Sequence, residues 1–243
     1  MQSVRREEYK YYIGLDHVEH IESCLASLMS LDPACNNNTG QYAVRSLYFD
    51  TPDSKDLNEK MDGIIDREKF RIRTYPGTVL ENIFKLERKS KIDSVIEKNS
   101  LKISKENALN FQNGIYNELF NLNNDFANYC YKKLKSEGYR PVVIVEYDRK
   151  AFTLPYCNIR ITIDKNLATG NGNRDITCSD YCNTPVFLDG MAILEVKFEK
   201  YLPSHIQDYL SRFNLRRCAI SKFSLSQLNI AVNPWSDELI RPF

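Results

Sequence analysis

One stretch of the sequence, residues 67–75, carries a basic side chain at every second position, with apolar side chains between them. The basic residues are Arg67, Lys69, Arg71 and Arg73, and the apolar residues are Phe70 and Ile72. Because successive side chains of a β-strand point to opposite faces of the sheet, this pattern predicts a strand with one cationic and one apolar face. The apolar face must be buried, and the cations must meet water or an anion.

The same period of two recurs along the chain and predicts eight strands. They are residues 5–13, 42–50, 67–75, 82–89, 95–103, 141–149, 157–165 and 191–199. Strands that follow one another directly, as in 67–103, favour antiparallel pairing. Helical spacing predicts helices at 16–29, 104–136 with an interruption near Gly114, 203–213 and 221–232. The stretch 165–185 is rich in Asn and Gly and predicts a long, irregular and mobile loop.

The predicted fold is therefore α+β. A chain of 243 residues, 42% of them hydrophobic, can form one large core. Because no linker divides the chain convincingly, we expect a single domain over residues 1–243.

Five other predicted strands also have a strongly charged face. These faces carry Arg6, Glu8 and Lys10; Lys85, Glu87 and Lys89; Lys98, Ser100 and Lys102; Arg160, Thr162 and Asp164; and Glu195, Lys197 and Glu199. A solvated polar face explains any one of these strands. Like charges opposed across neighbouring strands repel each other, however, and only a few carboxylates are interspersed. Six such strands together therefore favour a surface that binds an anion.

The overall charge does not predict an anionic partner, because 33 Lys and Arg nearly balance 32 Asp and Glu. The arrangement of the charges must create the attraction. Seven scattered cysteines without a signal peptide favour a reducing, cytoplasmic location. Cys178 and Cys182 have no second Cys or His pair at zinc spacing, and the chain contains no glycine-rich phosphate loop.

Eight antiparallel strands can close into a barrel. Such a barrel can bury its apolar faces inside, as is usual. It can instead enclose the charged faces while amphipathic helices cover an apolar outer wall. The alternation alone leaves both arrangements open.

Several motifs resemble the VTC domain, the polyphosphate polymerase domain of the triphosphate tunnel metalloenzyme superfamily. They are residues 6–11 (REEYKY), 46–52 (SLYFDTP), 67–73 (REKFRIR), 86–89 (LERK), 193–197 (ILEVK) and 221–224 (SKFS). The resemblance implies a closed eight-stranded antiparallel β-barrel, or tunnel, with a polar, basic interior and helices packed outside. It also implies a metal-dependent enzyme that uses Mn²⁺ or Mg²⁺ and transfers the terminal phosphate of ATP, or another triphosphate, to inorganic polyphosphate.

Carried over by position, the resemblance assigns phosphate binding to Lys10, Arg71, Arg73, Lys89, Arg149 and Arg160, metal binding to Glu195, and a place near the reacting phosphate to Lys222. The expected catalytic residues are Lys222, Arg71, Arg73 and Glu195, with Glu87 or Glu8 as further metal ligands. The strand faces add Arg6, Lys69, Lys85, Lys98, Lys102 and Lys197 as candidate phosphate ligands. Spacing does not decide whether Lys98 or Lys102 reaches the substrate.

One position departs from the superfamily. Its hydrolases typically begin with Glu-x-Glu-x-Lys, whereas this chain has Arg6-x-Glu8-x-Lys10. The loss of one carboxylate favours the polymerase over a two-metal hydrolase. A triphosphatase on the same scaffold remains the alternative, followed by a noncatalytic module that binds polyphosphate or RNA; DNA is not an expected partner. Translocation of a product across a membrane would require a separate membrane partner.

Overall fold

The computed structural model describes residues 6–35, 39–78, 80–93, 95–170, 174–178, 183–187 and 190–228. The strands are β1 (Arg6–Gly14), β2 (Ser30–Leu31), β3 (Tyr42–Asp50), β4 (Arg67–Thr74), β5 (Phe84–Ile92), β6 (Val95–Ile103), β7 (Arg140–Leu154), β8 (Ile159–Gly170), β9 (Asn183–Pro185) and β10 (Met191–Glu199). The helices are α1 (Leu15–Leu28), α2 (Lys55–Met61), α3 (Lys105–Gln112), α4 (Asn117–Asn121), α5 (Asp125–Ser136), α6 (Ser204–Ser211) and α7 (Lys222–Gln227).

All eight predicted strands are present and belong to one antiparallel sheet. Its main strand order is β1-β10-β8-β7-β3-β4-β5-β6, with β2 paired to β7 and β9 paired to β8. The prediction of an irregular loop at 165–185 is wrong at both of its ends, because β8 continues to Gly170 and pairs there with β9. Residues 171–173 and 179–182, including Cys182, lie outside the described part of the chain.

The helical predictions are confirmed with three differences. The stretch 104–136 forms three helices, separated at Gly114 (φ 76°) and at Asn123 (φ 45°), since a residue in the left-handed region ends an α-helix. Helix α2 was not predicted. Helix α7 ends at Gln227, and residues 229–232 of the predicted helix lie outside the described residues.

The sheet curls strongly. Strands β1 and β5 are separated by five strands in the sheet order, yet Lys89 Nζ of β5 lies 3.3 Å from Glu8 Oε2 of β1. Two side chains can meet across this number of strands only if the sheet bends back toward itself. The charged faces lie on the inside of this bend, which we call the concave face.

The prediction of a closed barrel is wrong. Within the described residues no backbone pairing joins β1 to β6, the two ends of the sheet. Another segment occupies the free edge of β1, because Tyr11 forms a β-bridge with Arg217 and the Cys218 amide donates to the Lys10 carbonyl at 2.9 Å. These hydrogen bonds use β1 groups that closure would require, so the sheet remains an open, curled half-barrel.

Helices cover the convex face in two groups, and the prediction that helices pack outside the sheet is confirmed for them. Helices α1 and α6 bury Ile21, Leu25 and Ile206 against apolar side chains of β1, β8 and β10. Helices α3, α4 and α5 cover β3 to β6, and Phe111 and Leu134 are fully buried there. Arg71, Glu87 and the other charged residues that alternate with these apolar side chains therefore face the concave side. Glu68 of β4 and Arg88 of β5 are exceptions, because they pair on the convex side beside Tyr129 and Lys133 of α5.

Helix α7 corrects the expectation that every helix packs outside. Phe223 of α7 packs on Tyr48 of β3 with ring centroids 5.1 Å apart, on the concave face. Leu57 of α2 and Val145 of β7 join the same apolar cluster. The concave face is thus basic in one part and apolar in another, where α7 fills it. None of the described helices is both long enough and apolar enough to cross a lipid bilayer.

We expect Phe111→Ala to lower the free energy of unfolding by about 3–5 kcal/mol, because it leaves a cavity beneath α3. Urea denaturation measures this effect. Phe120 of α4 is 64% exposed, so Phe120→Ala is a matched control expected to change stability by about 0.5 kcal/mol or less. Equal losses in both variants would contradict the packing of α3 to α5 described above.

Candidate functional site

The first part of the site centres on Glu87, which is 2% exposed. Strand β4 lies beside β5 with Arg71 opposite Glu87, and both Nε and Nη2 of Arg71 lie 2.8 Å from Glu87 Oε2. Lys98 of β6 places Nζ 2.6 Å from Glu87 Oε1, and Arg73 Nη1 is 3.8 Å from Oε2. One carboxylate therefore holds three cations from two neighbouring strands.

These contacts set the charge of Glu87. Burial would raise its pKa, but the positive charges of Arg71, Arg73 and Lys98 outweigh burial and lower the pKa to about 2. The two arginines are also oriented by hydrogen bonds to β3, from Arg71 Nη1 to the Tyr48 hydroxyl at 2.9 Å and from Arg73 Nε to Ser46 Oγ at 3.4 Å. Their side chains are thus held in place before any ligand binds.

The second part centres on Glu195 of β10. Lys222 Nζ lies 2.9 Å from Oε1, Lys197 Nζ lies 2.9 Å from Oε2, and Lys10 Nζ of β1 lies 3.7 Å from Oε1. Burial opposes ionisation of Glu195, but these three lysines outweigh it and hold its pKa well below the usual range. Glu195 is therefore a permanent anion among lysines.

Lys222 joins this group to β7 and β8. Its ammonium lies 2.7 Å from Asp164 Oδ2, and Arg149 donates to both oxygens of Asp164 at 2.6 and 2.7 Å. Burial would lower the pKa of Lys222, but the charges of Asp164 and Glu195 raise it, so the side chain stays protonated. The Ser221 hydroxyl accepts from the Ser224 amide and starts α7, which fixes Lys222 in the first turn.

Glu8 connects the two parts. It lies 3.1 Å from Lys10 and 3.3 Å from Lys89, and Lys10 also donates to the Ile220 carbonyl at 3.1 Å. Burial would raise the pKa of Glu8, but Lys10, Lys197 and Lys89 lower it to about 2. The curled sheet thereby brings β1, β5 and β10 to one polar surface.

The remaining predicted phosphate ligands differ in their relation to the ion pairs around Glu87, Glu195 and Glu8. Arg160 is held at 3.0 Å by Asp32 and at 3.1 Å by the Tyr42 hydroxyl. Lys85 lies over the Tyr75 ring at 5.6 Å, opposite Lys102 of β6, which is exposed. Of the two lysines of β6, Lys98 forms an ion pair with Glu87, whereas Lys102 forms no ion pair with a described carboxylate. Lys69 is on the same face but has no ion-pair partner within the described residues, and the Arg6 side chain lies outside that part of the chain.

The three predicted metal ligands do not form one cluster. Glu8 and Glu195 lie on adjacent strands with Lys10 between them, whereas Glu87 is taken up by Arg71, Arg73 and Lys98. No group of three or more metal-binding side chains occurs among the described residues. Mg²⁺ and Mn²⁺ favour one or two carboxylates completed by substrate phosphates and water, so Glu195 with Glu8 has suitable donors for such an ion.

Sequence reasoning missed several contacts. The sequence pattern placed Asp164 on the correct strand face, with Arg160 and Thr162, but did not predict its contacts with Arg149 and Lys222. Asp32, the partner of Arg160, gave no signal, because 128 residues separate the two in the sequence. Lys60 lies on helix α2, which the sequence pattern did not predict.

A sequence model of the VTC domain matches residues 5–229. The chain belongs to the VTC domain family. The match confirms the resemblance carried by the sequence motifs and extends over the described sheet, including α7 and its lysine.

Solved structures agree with this assignment at the level of the fold. A proposed adenylate cyclase from Bacillus halodurans is similar with a TM-score of 0.52 and 14% identity, covering 89% of the VTC chain and 95% of that protein. A proposed adenylyl cyclase from Hippeastrum, described as having a dominant triphosphatase activity, has a TM-score of 0.56 and 13% identity, with 93% and 97% covered. No curated protein matches the VTC chain by sequence.

Removing the charge of Glu87 in this VTC domain tests its role as a counter-ion. Since its folded pKa of about 2 lies below the ordinary 4.5, its stabilisation is complete above pH 4.5 and is lost as pH falls toward 2. We expect Glu87→Gln to lower the free energy of unfolding at pH 7 by about 3 kcal/mol and to flatten the acid dependence in this window.

Urea denaturation at several pH values measures this change. Glu97 of β6 has a side chain that is 58% exposed and lies 3.9 Å from Arg88, so Glu97→Gln is the control and should change stability by about 0.5 kcal/mol or less. A Glu87→Gln protein as stable as the control would show that Glu87 does not balance Arg71 and Arg73.

Proposed function

We propose that this VTC domain is a metal-dependent polyphosphate polymerase that transfers the terminal phosphate of ATP to a growing polyphosphate chain. One observation carries the proposal: cations from β1, β4, β5, β6, β7, β10 and α7 converge on one concave face and outnumber the carboxylates between them. Such a surface is self-repelling unless polyanions occupy it. Family membership makes phosphate chains the expected polyanions.

The proposed reaction needs no covalent intermediate with the protein. The bond between the γ-phosphorus of ATP and its bridging oxygen breaks, a terminal oxygen of the polyphosphate bonds to that phosphorus, and ADP leaves. Charge in this transition state spreads over the oxygens of the transferred group, so the protein contributes mainly position and positive charge. Arg71, Arg73 and Arg149 offer planar guanidinium groups that bind phosphate oxygens in pairs, and Lys222 offers a compact charge beside them.

Glu195 and Glu8 would hold Mn²⁺ or Mg²⁺ together with phosphate oxygens. The ion supplies further positive charge to the phosphates when bound. Lys10 now lies between the two carboxylates, and phosphates that bind the neighbouring lysines would release carboxylate oxygens for the ion. Glu87 is less suited, because it lies on β5 and not on the paired strands β1 and β10 that carry Glu8 and Glu195.

The Arg6-x-Glu8-x-Lys10 motif favours the polymerase, since it leaves only one carboxylate in β1 at the positions where the hydrolases carry two. A triphosphatase is the second candidate. It is favoured by the fold similarity to the Hippeastrum protein described as having a dominant triphosphatase activity. Both reactions use the same cations and differ in whether polyphosphate or water accepts the phosphate.

Incubation with ATP and Mn²⁺ separates these functions. We expect polymer on a polyacrylamide gel and release of ADP with little orthophosphate. Orthophosphate without polymer would identify a triphosphatase, and binding of polyphosphate without turnover would identify a noncatalytic module.

Glu195→Gln is expected to reduce polymer synthesis at least about 100-fold, because the metal loses its main carboxylate, while ATP binding changes by a few-fold at most. Initial rates and equilibrium binding of ATP measure the two effects. Glu199 lies on the same strand and bonds to Asn158, so Glu199→Gln is the matched control and should retain full activity. Full metal-dependent turnover in Glu195→Gln would refute the metal assignment.

A further inference from the structure

A second group of cations lies beside the site. Arg67 of β4 is paired with Lys91 of β5, and Lys69 is paired with Lys89, all on the same sheet face as Arg71. Helix α2 adds Lys60, whose pKa is lowered by burial and then by the positive charges of Arg67, Lys10 and Lys91. We call Lys60, Arg67, Lys69 and Lys91 the α2 basic cluster.

These cations differ from those around Glu195 and Glu87 because they are not neutralised by ion pairs. Within the described residues, Lys60, Lys69 and Lys91 form no ion pair, and Arg67 donates only to the Ile64 carbonyl. Glu59, Asp56 and Asp50 attract the cluster without forming an ion pair with it, and Asp66 lines the same cavity as Arg67 and Lys91. Glu8 contacts the neighbouring Lys89. Arg67 and Lys91 therefore carry positive charge that no described ion pair neutralises.

Lys69 is the most unusual member. Its Nζ is buried without a hydrogen-bond partner among the described residues and lies 4.3 Å from the centre of the Phe223 ring. Burial lowers its pKa to about 7, while Oδ2 of the neighbouring Asp56 also lacks a partner. A buried donor without an acceptor destabilises a folded protein, and an anion that reaches it would remove this cost.

On β4 the cluster continues the row of cations to which the proposed function assigns the reacting phosphates. Arg67, Lys69, Arg71 and Arg73 occupy alternate positions of β4, so successive cations are roughly 6.7 Å apart and the row is roughly 20 Å long. This row of cations is longer than one bound triphosphate. It fits an extended ligand with a negative charge on every repeat.

We propose that the α2 basic cluster is a subsite for the acceptor polyphosphate chain, holding phosphates distant from the one that receives the new group. This inference rests on the proposed function, because it assigns the acceptor half of the same site. It also assigns a role to Lys60 and to α2, neither of which the sequence motifs include.

Binding to chains of different length provides the first test. We expect Lys60→Gln to weaken binding of long-chain polyphosphate about fivefold and binding of tripolyphosphate less than about twofold, since only a long chain reaches α2. Isothermal titration without metal or nucleotide measures both. Lys55 lies on the same helix but pairs with Glu137 at 2.9 Å, so Lys55→Gln is the control and should bind both ligands like the wild type.

Lys69→Met distinguishes a ligand-binding lysine from a structural one. If Lys69 binds an anionic ligand, Lys69→Met should raise the melting temperature of the free protein, because it removes a buried donor without an acceptor. It should also weaken binding of long-chain polyphosphate about fivefold. A lower melting temperature with unchanged binding would overturn the assignment.

The final measurement separates this inference from the proposed function. If the wild type makes polymer, Lys60→Gln should raise the KM for the polyphosphate acceptor about fivefold and leave the KM for ATP unchanged; an unchanged acceptor KM would overturn the subsite. If the wild type makes no polymer but its binding of long chains still depends on Lys60, the polymerase proposal fails and the subsite stands.

Equal competition by single-stranded RNA of matched charge would overturn the assignment to polyphosphate.

Discussion

The mutual repulsion of cations on one face of a β-sheet is the constraint on which the rest of this structure depends. Arginines and lysines of β4 and β5 lie directly opposite one another, and such pairs destabilise a sheet. Glu87, Glu195 and Asp164 counter this repulsion, each buried and each in contact with at least two cations. These carboxylates only partly balance the cations, so the concave face keeps an excess of positive charge.

This constraint also explains the layers of the fold. Since one face of the sheet is reserved for charge, most of the apolar burial must occur on the convex face, where five helices cover two clusters. The exception is the apolar end of the concave face, where Phe223 and Leu57 pack around Tyr48. There α7 has two roles, because it fills the concave face and delivers Lys222 to Asp164 and Glu195.

The local pattern made much of the molecule predictable. Alternation located all eight main strands and the correct face of Arg71, Glu87 and Glu195, because a period of two fixes the orientation of a side chain before its partners are known. Helix α2 was missed, since seven residues with buried Asp56 and Leu57 give little amphipathic signal. The two ends of the long loop were wrongly assigned because Asn- and Gly-rich composition concealed the pairing of β8 with β9.

The sequence by itself determined which face of each strand is charged and, through its motifs, the VTC family. Tertiary structure decided that the sheet stays open, because hydrogen bonds from residues 217 and 218 occupy the edge of β1. It also decided which charges neutralise each other: Arg160 with Asp32, Arg149 with Asp164, and Lys89 with Glu8. The last of these pairs joins opposite sides of a curled sheet, and that distance depends on the accumulated curvature of all the strands between them, which no local pattern records.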